Sequence, residues 1–254
     1  MLKLSKYEFR KNRNFLIIIG AGLLLLQIYF MISTFVKNTD HTVISSSLLF
    51  LYAMICYFAV FILAVSNYSK ELNSKSSYLI FMTPNSALNI IFSKIFTILI
   101  IGLVLLILIC GFGYLDITLV YKTYPDVGDI TNFANEFMKM LGINTGELIL
   151  SILASILEFI ISFFSVVMLS YLAITLSATL LQNNKFKGIV SFVIFLILTY
   201  LTTFIVGKLP VIYDNPENML QVFTTTLPAT ILDVIIIAAS ILGCSVLLEK
   251  KVSL

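Results

Sequence analysis

Few side chains in this sequence have the type and spacing that catalysis or metal binding requires. The three cysteines, Cys56, Cys110 and Cys244, all lie inside apolar runs, and their spacing matches no metal-binding or redox motif. His41 is the only histidine, which excludes any site built on two of them. We therefore expect the cysteines to act as small packing residues, and we expect no metal site and no cofactor in this chain.

Two acidic residues, Glu158 and Asp233, lie within or beside long apolar runs. An ionised acid in the middle of a bilayer costs roughly 2.5–3.5 kcal/mol on insertion scales, so its depth matters. At ~1.5 Å per helical residue, Glu158 lies about 35 Å from Leu181, near the outer boundary, and Asp233 lies about 22 Å from Leu248. One interpretation is an acidic outer mouth for a cationic substrate, and the other is a polar contact between helices or across a dimer. The acids of residues 116–147 are expected to result from the positive-inside bias of membrane proteins rather than to form a binding site.

The composition places the chain in a lipid bilayer. Of its 254 residues, 59% are hydrophobic and 11% are charged, and the mean hydropathy is +1.05. A soluble domain carries roughly 25% charged residues, and no polar stretch here is long enough to form a core of its own. A bilayer core about 30 Å thick needs roughly 20 apolar helical residues. Six apolar runs are predicted to be spans: residues 15–36, 48–67, 95–115, 148–181, 189–206 and 227–248. A total of five or seven spans is the alternative.

The distribution of basic residues predicts the orientation of these spans. Lysine and arginine accumulate in the cytoplasmic segments of membrane proteins. If the N-terminus is cytoplasmic, only Lys37, Lys122, Lys139 and Lys208 of the 16 basic residues fall in outer segments. We therefore predict an all-α integral membrane protein with six transmembrane helices and both termini cytoplasmic, forming a single transmembrane domain over residues 1–254.

The segments outside the spans are unequal. Residues 1–14 mix apolar and basic side chains, which suits an amphipathic interfacial helix on the anionic inner leaflet, with a solvated basic tail as the alternative. The longest outer loop is predicted over residues 116–147. Residues 215–217, Asn-Pro-Glu, have the pattern of a helix start. A short outer helix is therefore expected before the sixth span, ending near 224–226 and before Pro228.

The inner segment between the second and third spans, residues 68–94, is the most informative part of the chain. Taken as a helix, it places Leu72, Leu79 and Met82 on one face, with Tyr78 beside them. The pattern predicts a short amphipathic helix that lies along the inner face of the membrane and is tied to two spans.

The end of this amphipathic helix is set by a proline. Pro84 disfavours helical geometry at the residue before it, here Thr83, so the helix is expected to stop there. Asn85 or Ser86 is then expected to cap the helix that forms the third span.

This segment resembles the corresponding loop of ABC-2 type transporter permeases, the membrane subunits of a large class of ATP-driven exporters. In that family an acidic-basic start, an apolar helix and a Thr-Pro or Ser-Pro break are followed by a lysine at the start of the third span. The matching positions here are Glu71, residues 78–82, Thr83-Pro84 and Lys94. Residues 74–75, Ser-Lys, stand where the family often has glycine.

The resemblance implies a permease subunit that moves a hydrophobic or amphipathic substrate, of the peptide or antimicrobial kind, out of a bacterial cell through its plasma membrane. The chain has no Gly-x-x-x-x-Gly-Lys-Ser/Thr loop, so ATP and Mg²⁺ would be bound by a separate ABC ATPase in two copies. A second permease, identical or homologous, would complete the path, and no nucleic acid is implied. The residues implied in coupling to the ATPase are Glu71, Leu72, Lys75, Tyr78, Leu79, Met82, Thr83 and Pro84.

Two other classes of function stay open. A secondary transporter or channel, not driven by ATP, commonly has ionisable residues near the midplane or broken helices in repeated halves. An intramembrane enzyme needs paired acids with several histidines, or a serine with a histidine, and His41 alone cannot provide the former. The sequence therefore favours a transport subunit that is not itself an enzyme.

Overall fold

The protein, described as a computed structural model over residues 2–73, 86–124, 145–180, 186–210, 212–213 and 219–252, is all-helical. Those residues form seven α-helices and no β-strand. The helices are α1 (Leu2–Lys11), α2 (Arg13–Phe35), α3 (Thr39–Asn73), α4 (Ala87–Thr123), α5 (Thr145–Leu180), α6 (Lys187–Val206) and α7 (Met219–Val252). All except α1 are long and apolar enough to cross a membrane. The prediction of an all-α, multi-pass membrane protein is therefore confirmed.

Three of the long helices, α3, α4 and α7, extend at both ends beyond the apolar runs that predicted them. An apolar run measures the part of a helix that lies in hydrocarbon, whereas backbone hydrogen bonding continues into the flanking polar residues. For this reason α4 continues to Thr123, and the outer loop is shorter than the predicted range of 116–147. Residues 125–144 of that loop lie outside the described residues.

The helix α7 includes the residues that were predicted to form a short outer helix. It runs without a break from Met219 to Val252, with Pro228 inside it. Proline costs about 3 kcal/mol in a helix interior but is tolerated in membrane helices. The hydroxyls of Thr224 and Thr225 donate to the Gln221 carbonyl oxygen over 2.8 and 2.7 Å. The predicted stop before Pro228 is wrong, because one lost hydrogen bond does not outweigh the remaining bonds of a 34-residue helix.

The chain divides into two compact units, and the first comprises Met1–Ala64 and Phe92–Glu136. In this unit α2 and α3 approach closely at Gly22, where an added Cβ would overlap the Tyr52 ring. The Tyr52 hydroxyl donates to the Ile19 carbonyl oxygen over 3.0 Å. The absence of a side chain at Gly22 therefore lets an aromatic residue pack against the backbone of the neighbouring helix.

A tight turn joins α2 and α3. Lys37 has a positive φ of 58°, and the side-chain oxygen of Asn38 accepts a hydrogen bond of 3.2 Å from the backbone N–H of His41. Asn38 thus caps α3 in the usual way. Across the hairpin, the buried hydroxyls of Ser33 and Ser45 are hydrogen-bonded at 3.1 Å. The second span therefore begins its helix at Thr39, well before the predicted residue 48.

The second unit comprises Val65–Ile91 and Phe137–Leu254. In this unit α5 packs against both α6 and α7. The core of α5 includes Val167 and Met168, neither of which is exposed. An added Cβ at Gly243 of α7 would lie 3.3 Å from the Leu172 side chain of α5, which marks a close approach of the two helices. By contrast, no residue of α6 is buried.

Candidate functional site

The predicted contact with an ATPase is described only at its first residues. Glu71 and Leu72 lie in the last turn of α3 and are half-buried. The remaining predicted contact residues lie outside the described residues: Lys75, Tyr78, Leu79, Met82, Thr83 and Pro84. Their role stays a prediction, as does the helix predicted for them. The structure does describe the two helices that flank residues 74–85, the end of α3 and the start of α4.

Tyr68 holds the α3 end of this segment within the second unit. Its side chain is 3% exposed, its hydroxyl is hydrogen-bonded to that of Thr175 at 2.8 Å, and its ring stacks on Tyr171 with centroids 4.1 Å apart. The Thr175 hydroxyl in turn donates to the Tyr171 carbonyl oxygen over 2.6 Å and lies 3.4 Å from Cys244 Sγ. Stacked aromatic pairs add roughly 0.5–1.5 kcal/mol to the effect of buried area. The last turn of α3 therefore extends from a firmly held helix.

Ser86 caps the helix at the other end of the segment. Its hydroxyl oxygen accepts a hydrogen bond of 3.4 Å from the backbone N–H of Asn89, in the first turn of α4. A serine immediately before the first helical residue satisfies one of the free amide groups there. The prediction that Asn85 or Ser86 caps this helix is confirmed for Ser86.

A buried ion pair joins the start of α4 to α1 within the first unit. Lys94 Nζ donates to Glu8 Oε1 over 2.8 Å, and the two side chains are 6% and 9% exposed. One turn earlier in α1, the Ser5 hydroxyl donates to the Ser93 carbonyl oxygen over 3.5 Å. The polar side of α1 therefore packs on protein, while Tyr7 is exposed. The predicted helix at residues 1–14 exists as Leu2–Lys11, and its place on a membrane surface stays a prediction.

Glu158 makes a contact between two helices. It is half-buried on α5, and its Oε2 accepts a hydrogen bond of 3.2 Å from the Thr226 hydroxyl of α7. This geometry is the polar contact between helices that was one of the two interpretations of this acid. Its role at an outer mouth stays a prediction.

Asp233 is half-buried on α7. In the part of the chain that the structure describes, it has no hydrogen-bond or ion-pair partner. The Thr226 contact of Glu158 lies seven residues earlier on α7, which is about 10 Å along the helix axis. Asp233 and the contact of Glu158 therefore lie at different levels along α7.

Asp116 is the acid that sequence reasoning missed. The apolar run ends at residue 115, so Asp116 was assigned to the outer loop, whereas the structure places it inside α4 and half-buried. The side-chain amide of Gln27 in α2 donates to Asp116 Oδ1. The signal that could have revealed it is the return of apolar residues at Ile117, Leu119 and Val120.

Gln27 and Asp116 line a cavity of about 750 Å³ within the first unit. Much of the remaining lining is apolar and includes Leu23, Phe30 and Phe112. Gln27 is 5% exposed, and its Oε1 is buried without a hydrogen-bond partner among the described residues. A buried polar atom left without a partner costs roughly 1–3 kcal/mol. The wall of the cavity therefore includes a buried acceptor whose role the fold alone does not explain.

The cysteines differ in their surroundings. Cys56 and Cys244 are buried, as expected of packing residues, but Cys110 is exposed. The packing prediction is therefore wrong for Cys110, because an apolar run in a membrane helix also includes residues that face outward. Within the described ranges, no group of three or more His, Cys, Asp and Glu side chains could hold a metal ion.

No protein-family model matches this chain. No curated protein and no solved structure matches it either. The resemblance to ABC-2 type permeases therefore rests on the sequence of the inner loop and on the pattern of six spans.

Proposed function

We propose that this chain is the membrane subunit of an ATP-driven exporter of the ABC-2 permease type. Its cargo would be a hydrophobic or amphipathic molecule, of the peptide or antimicrobial kind, moved out of a bacterial cell through the plasma membrane. The observation that carries the proposal is that the two helices flanking residues 74–85, the segment that resembles the family's coupling loop, each make buried contacts, α3 at Tyr68 and α4 at Lys94.

A segment that transmits movement has to be held firmly where it joins the spans. The α3 end is held by Tyr68 against Tyr171 and Thr175 of the second unit. The α4 end leads to Lys94, which is paired with Glu8 of the first unit. A displacement of residues 74–85 would therefore act on two supported helices, which supports a role in rigid-body coupling.

The proposed partners follow from what this chain lacks and from its apolar surface. Its sequence has no phosphate-binding loop, so two copies of a separate ABC ATPase would bind ATP and Mg²⁺ on the cytoplasmic side. A second permease, identical or homologous, would complete the path. The helix α6, with no buried residue, offers an apolar surface for lipid or for that second permease. With the basic residues on the inner side, both termini and residues 74–85 would be cytoplasmic.

A secondary transporter that is not driven by ATP is the second candidate, and Asp116 favours it. Ionisable residues inside membrane spans commonly mark ion or substrate paths. Asp116 lies within a span and lines a cavity together with Gln27. Dependence on ATP separates the two candidates, because a secondary transporter works from an ion gradient without an ATPase.

The coupling role is tested with Glu71→Lys and Leu79→Pro in the native host. Both changes are expected to abolish protection against a panel of amphipathic antimicrobial peptides, because one reverses a charge in the predicted contact and the other breaks its helix. The matched control is Asp40→Lys, the same charge change at the opposite, exposed end of α3. Immunoblots of the membrane fraction check expression.

Protection that survives Leu79→Pro at normal expression would contradict the coupling role of this segment. Loss of protection in Asp40→Lys as well would show that the charge change itself, rather than its position, is harmful.

A further inference from the structure

Two hydrogen-bond acceptors lie close together at the wall of the cavity in the first unit. The amide nitrogen of Gln27 donates to Asp116 Oδ1, which leaves Gln27 Oε1 and the second carboxylate oxygen of Asp116. Within the described ranges, Gln27 Oε1 is buried without a hydrogen-bond partner, and no lysine, arginine or histidine forms an ion pair with Asp116. This part of the cavity wall therefore has a negative charge and unused acceptors, with no matching donor among the described residues.

The other polar groups that line the cavity do not supply that donor. The Thr42 hydroxyl donates to the Asn38 carbonyl oxygen over 2.8 Å, and the Ser46 hydroxyl donates to the Val43 carbonyl oxygen over 2.9 Å. Tyr121 also lines the cavity, and no hydrogen bond joins it to Gln27 or Asp116 in the part of the chain that the structure describes. Among the residues that the structure describes, no donor satisfies both acceptors, and a ligand can supply one.

A primary ammonium group fits these two acceptors. It carries one positive charge and three N–H donors, so it can pair with the carboxylate and donate to the amide oxygen at the same time. An alcohol brings a donor without charge, and a quaternary ammonium brings charge without a donor. Calcium and magnesium ions prefer six or more oxygen ligands in total, far more than this pair provides.

The rest of the cavity fits an apolar tail. Its volume of about 750 Å³ is typical of sites for small molecules, which span roughly 300–1,000 Å³. Val43, Phe50 and Ile117 line it and are 64%, 69% and 53% exposed, so the cavity is open on its apolar side. In a membrane helix such exposed apolar residues face lipid or a partner, so an amphiphile dissolved in the bilayer can enter from the side.

We propose that this cavity binds a single-chain amphiphile with a primary ammonium head group, its head at Asp116 and Gln27 and its tail along the apolar lining. As the cargo class of the exporter, this ligand rests on the proposed function. Binding itself requires no ATPase and can be measured on this chain alone.

The test uses the purified full-length chain in phosphatidylcholine nanodiscs without an ATPase. The probe is dodecylamine carrying a photoreactive diazirine in its chain, and labelled peptides are identified by mass spectrometry. We expect saturable labelling of α2, α3 and α4 that unlabelled dodecylamine displaces. Dodecyltrimethylammonium and dodecanol, which lack the donors or the charge, should displace it at concentrations about tenfold higher or more.

Three variants make the test specific. Asp116→Asn keeps the shape of the side chain and is expected to weaken binding about tenfold or more, because it removes the charge. Gln27→Leu removes the second acceptor and is expected to weaken binding severalfold, and it carries the test if Asp116→Asn does not fold. The control, Asp40→Asn, removes an exposed acid of the same unit that does not line the cavity, and it should leave binding unchanged.

Four results would overturn the proposal: no saturable labelling, equal affinity in Asp116→Asn, equal displacement by dodecyltrimethylammonium, or displacement by phosphatidylethanolamine added to the nanodiscs. The last would make a two-chain membrane lipid the occupant. If an ATPase copurifies with the chain but the probe does not bind, only this proposal fails. If the probe binds and no ATPase copurifies, only the exporter proposal fails.

Discussion

Replacing Glu8 by glutamine should destabilise the protein strongly, because it removes the carboxylate that pairs with the buried Lys94 ammonium. Lys94 Nζ and Glu8 Oε1 are 2.8 Å apart, and their side chains are 6% and 9% exposed. Lys94→Met should be similarly harmful, because it leaves the carboxylate unpaired. The double replacement Glu8→Gln with Lys94→Met removes both charges and should recover most of the lost stability.

The magnitude follows from the geometry of the pair. At an effective dielectric constant of 20, two unit charges 2.8 Å apart attract each other by about 6 kcal/mol. Removing two ions from water costs several kcal/mol each, so the pair as a whole contributes little net stability. Removing one partner of a buried pair, however, typically costs about 3–5 kcal/mol. We expect that loss for each single variant and a change within about 1 kcal/mol for the double variant.

The assay is unfolding of the purified protein in mixed detergent micelles, followed by circular dichroism as the fraction of sodium dodecyl sulfate rises. Glu249→Gln is the matched control, because it makes the same chemical change at an exposed position in α7. It should change the free energy of unfolding by less than about 0.5 kcal/mol. The double-mutant cycle should give a coupling energy of at least about 5 kcal/mol, because two losses of about 3 kcal/mol each would be reduced to about 1 kcal/mol in the double variant.

Two outcomes would refute this reasoning. If each single variant cost less than about 1 kcal/mol, the ion pair would not be buried in solution. If the losses in the single variants simply added in the double variant, the two side chains would not interact.

Two further predictions concern packing. Gly22→Ala should cost about 1–3 kcal/mol of stability, because the new Cβ overlaps Tyr52. In Gly20→Ala the new Cβ meets nothing within 4 Å, so this variant should be neutral or slightly stabilising. Equal effects of the two substitutions in a thermal melt would contradict the close approach of α2 and α3 at Gly22. Tyr68→Phe should cost about 1 kcal/mol and Tyr68→Ala roughly 3–5 kcal/mol, while Tyr200→Ala at a position 70% exposed should cost much less in the same melt. A small loss in Tyr68→Ala would mean that Tyr68 does not hold the end of α3.

The sequence was informative about which segments form spans and less so about where the helices end. Hydrophobic length identifies a span because the bilayer core has a fixed thickness. The ends of a helix depend instead on capping and on the cost of a single break. Asn38 allows α3 to start early, and Pro228 does not stop α7, because a long helix absorbs the loss of one hydrogen bond.

In the candidate site, too, the sequence identified individual residues but not the contacts between them. Lys94 was singled out by its position in the inner loop, but its partner Glu8 is 86 residues away, so no local pattern could identify it. Asp116 was missed because a charge at the edge of an apolar run has the same sequence signature in a loop as inside a helix. Only the packing of α2 on α4, which brings Gln27 to Asp116, distinguishes the two cases.

Copurification from native membranes tests the exporter proposal most directly. The full-length chain, carrying an affinity tag, is isolated in mild detergent, and bound proteins are identified by mass spectrometry and assayed for ATP hydrolysis. We expect an ATPase with a Gly-x-x-x-x-Gly-Lys-Ser/Thr loop in amounts equal to the permease, and we expect Leu79→Pro to release it. A chain that purifies without any ATPase, and that drives transport in vesicles from a proton gradient alone, would contradict the proposal.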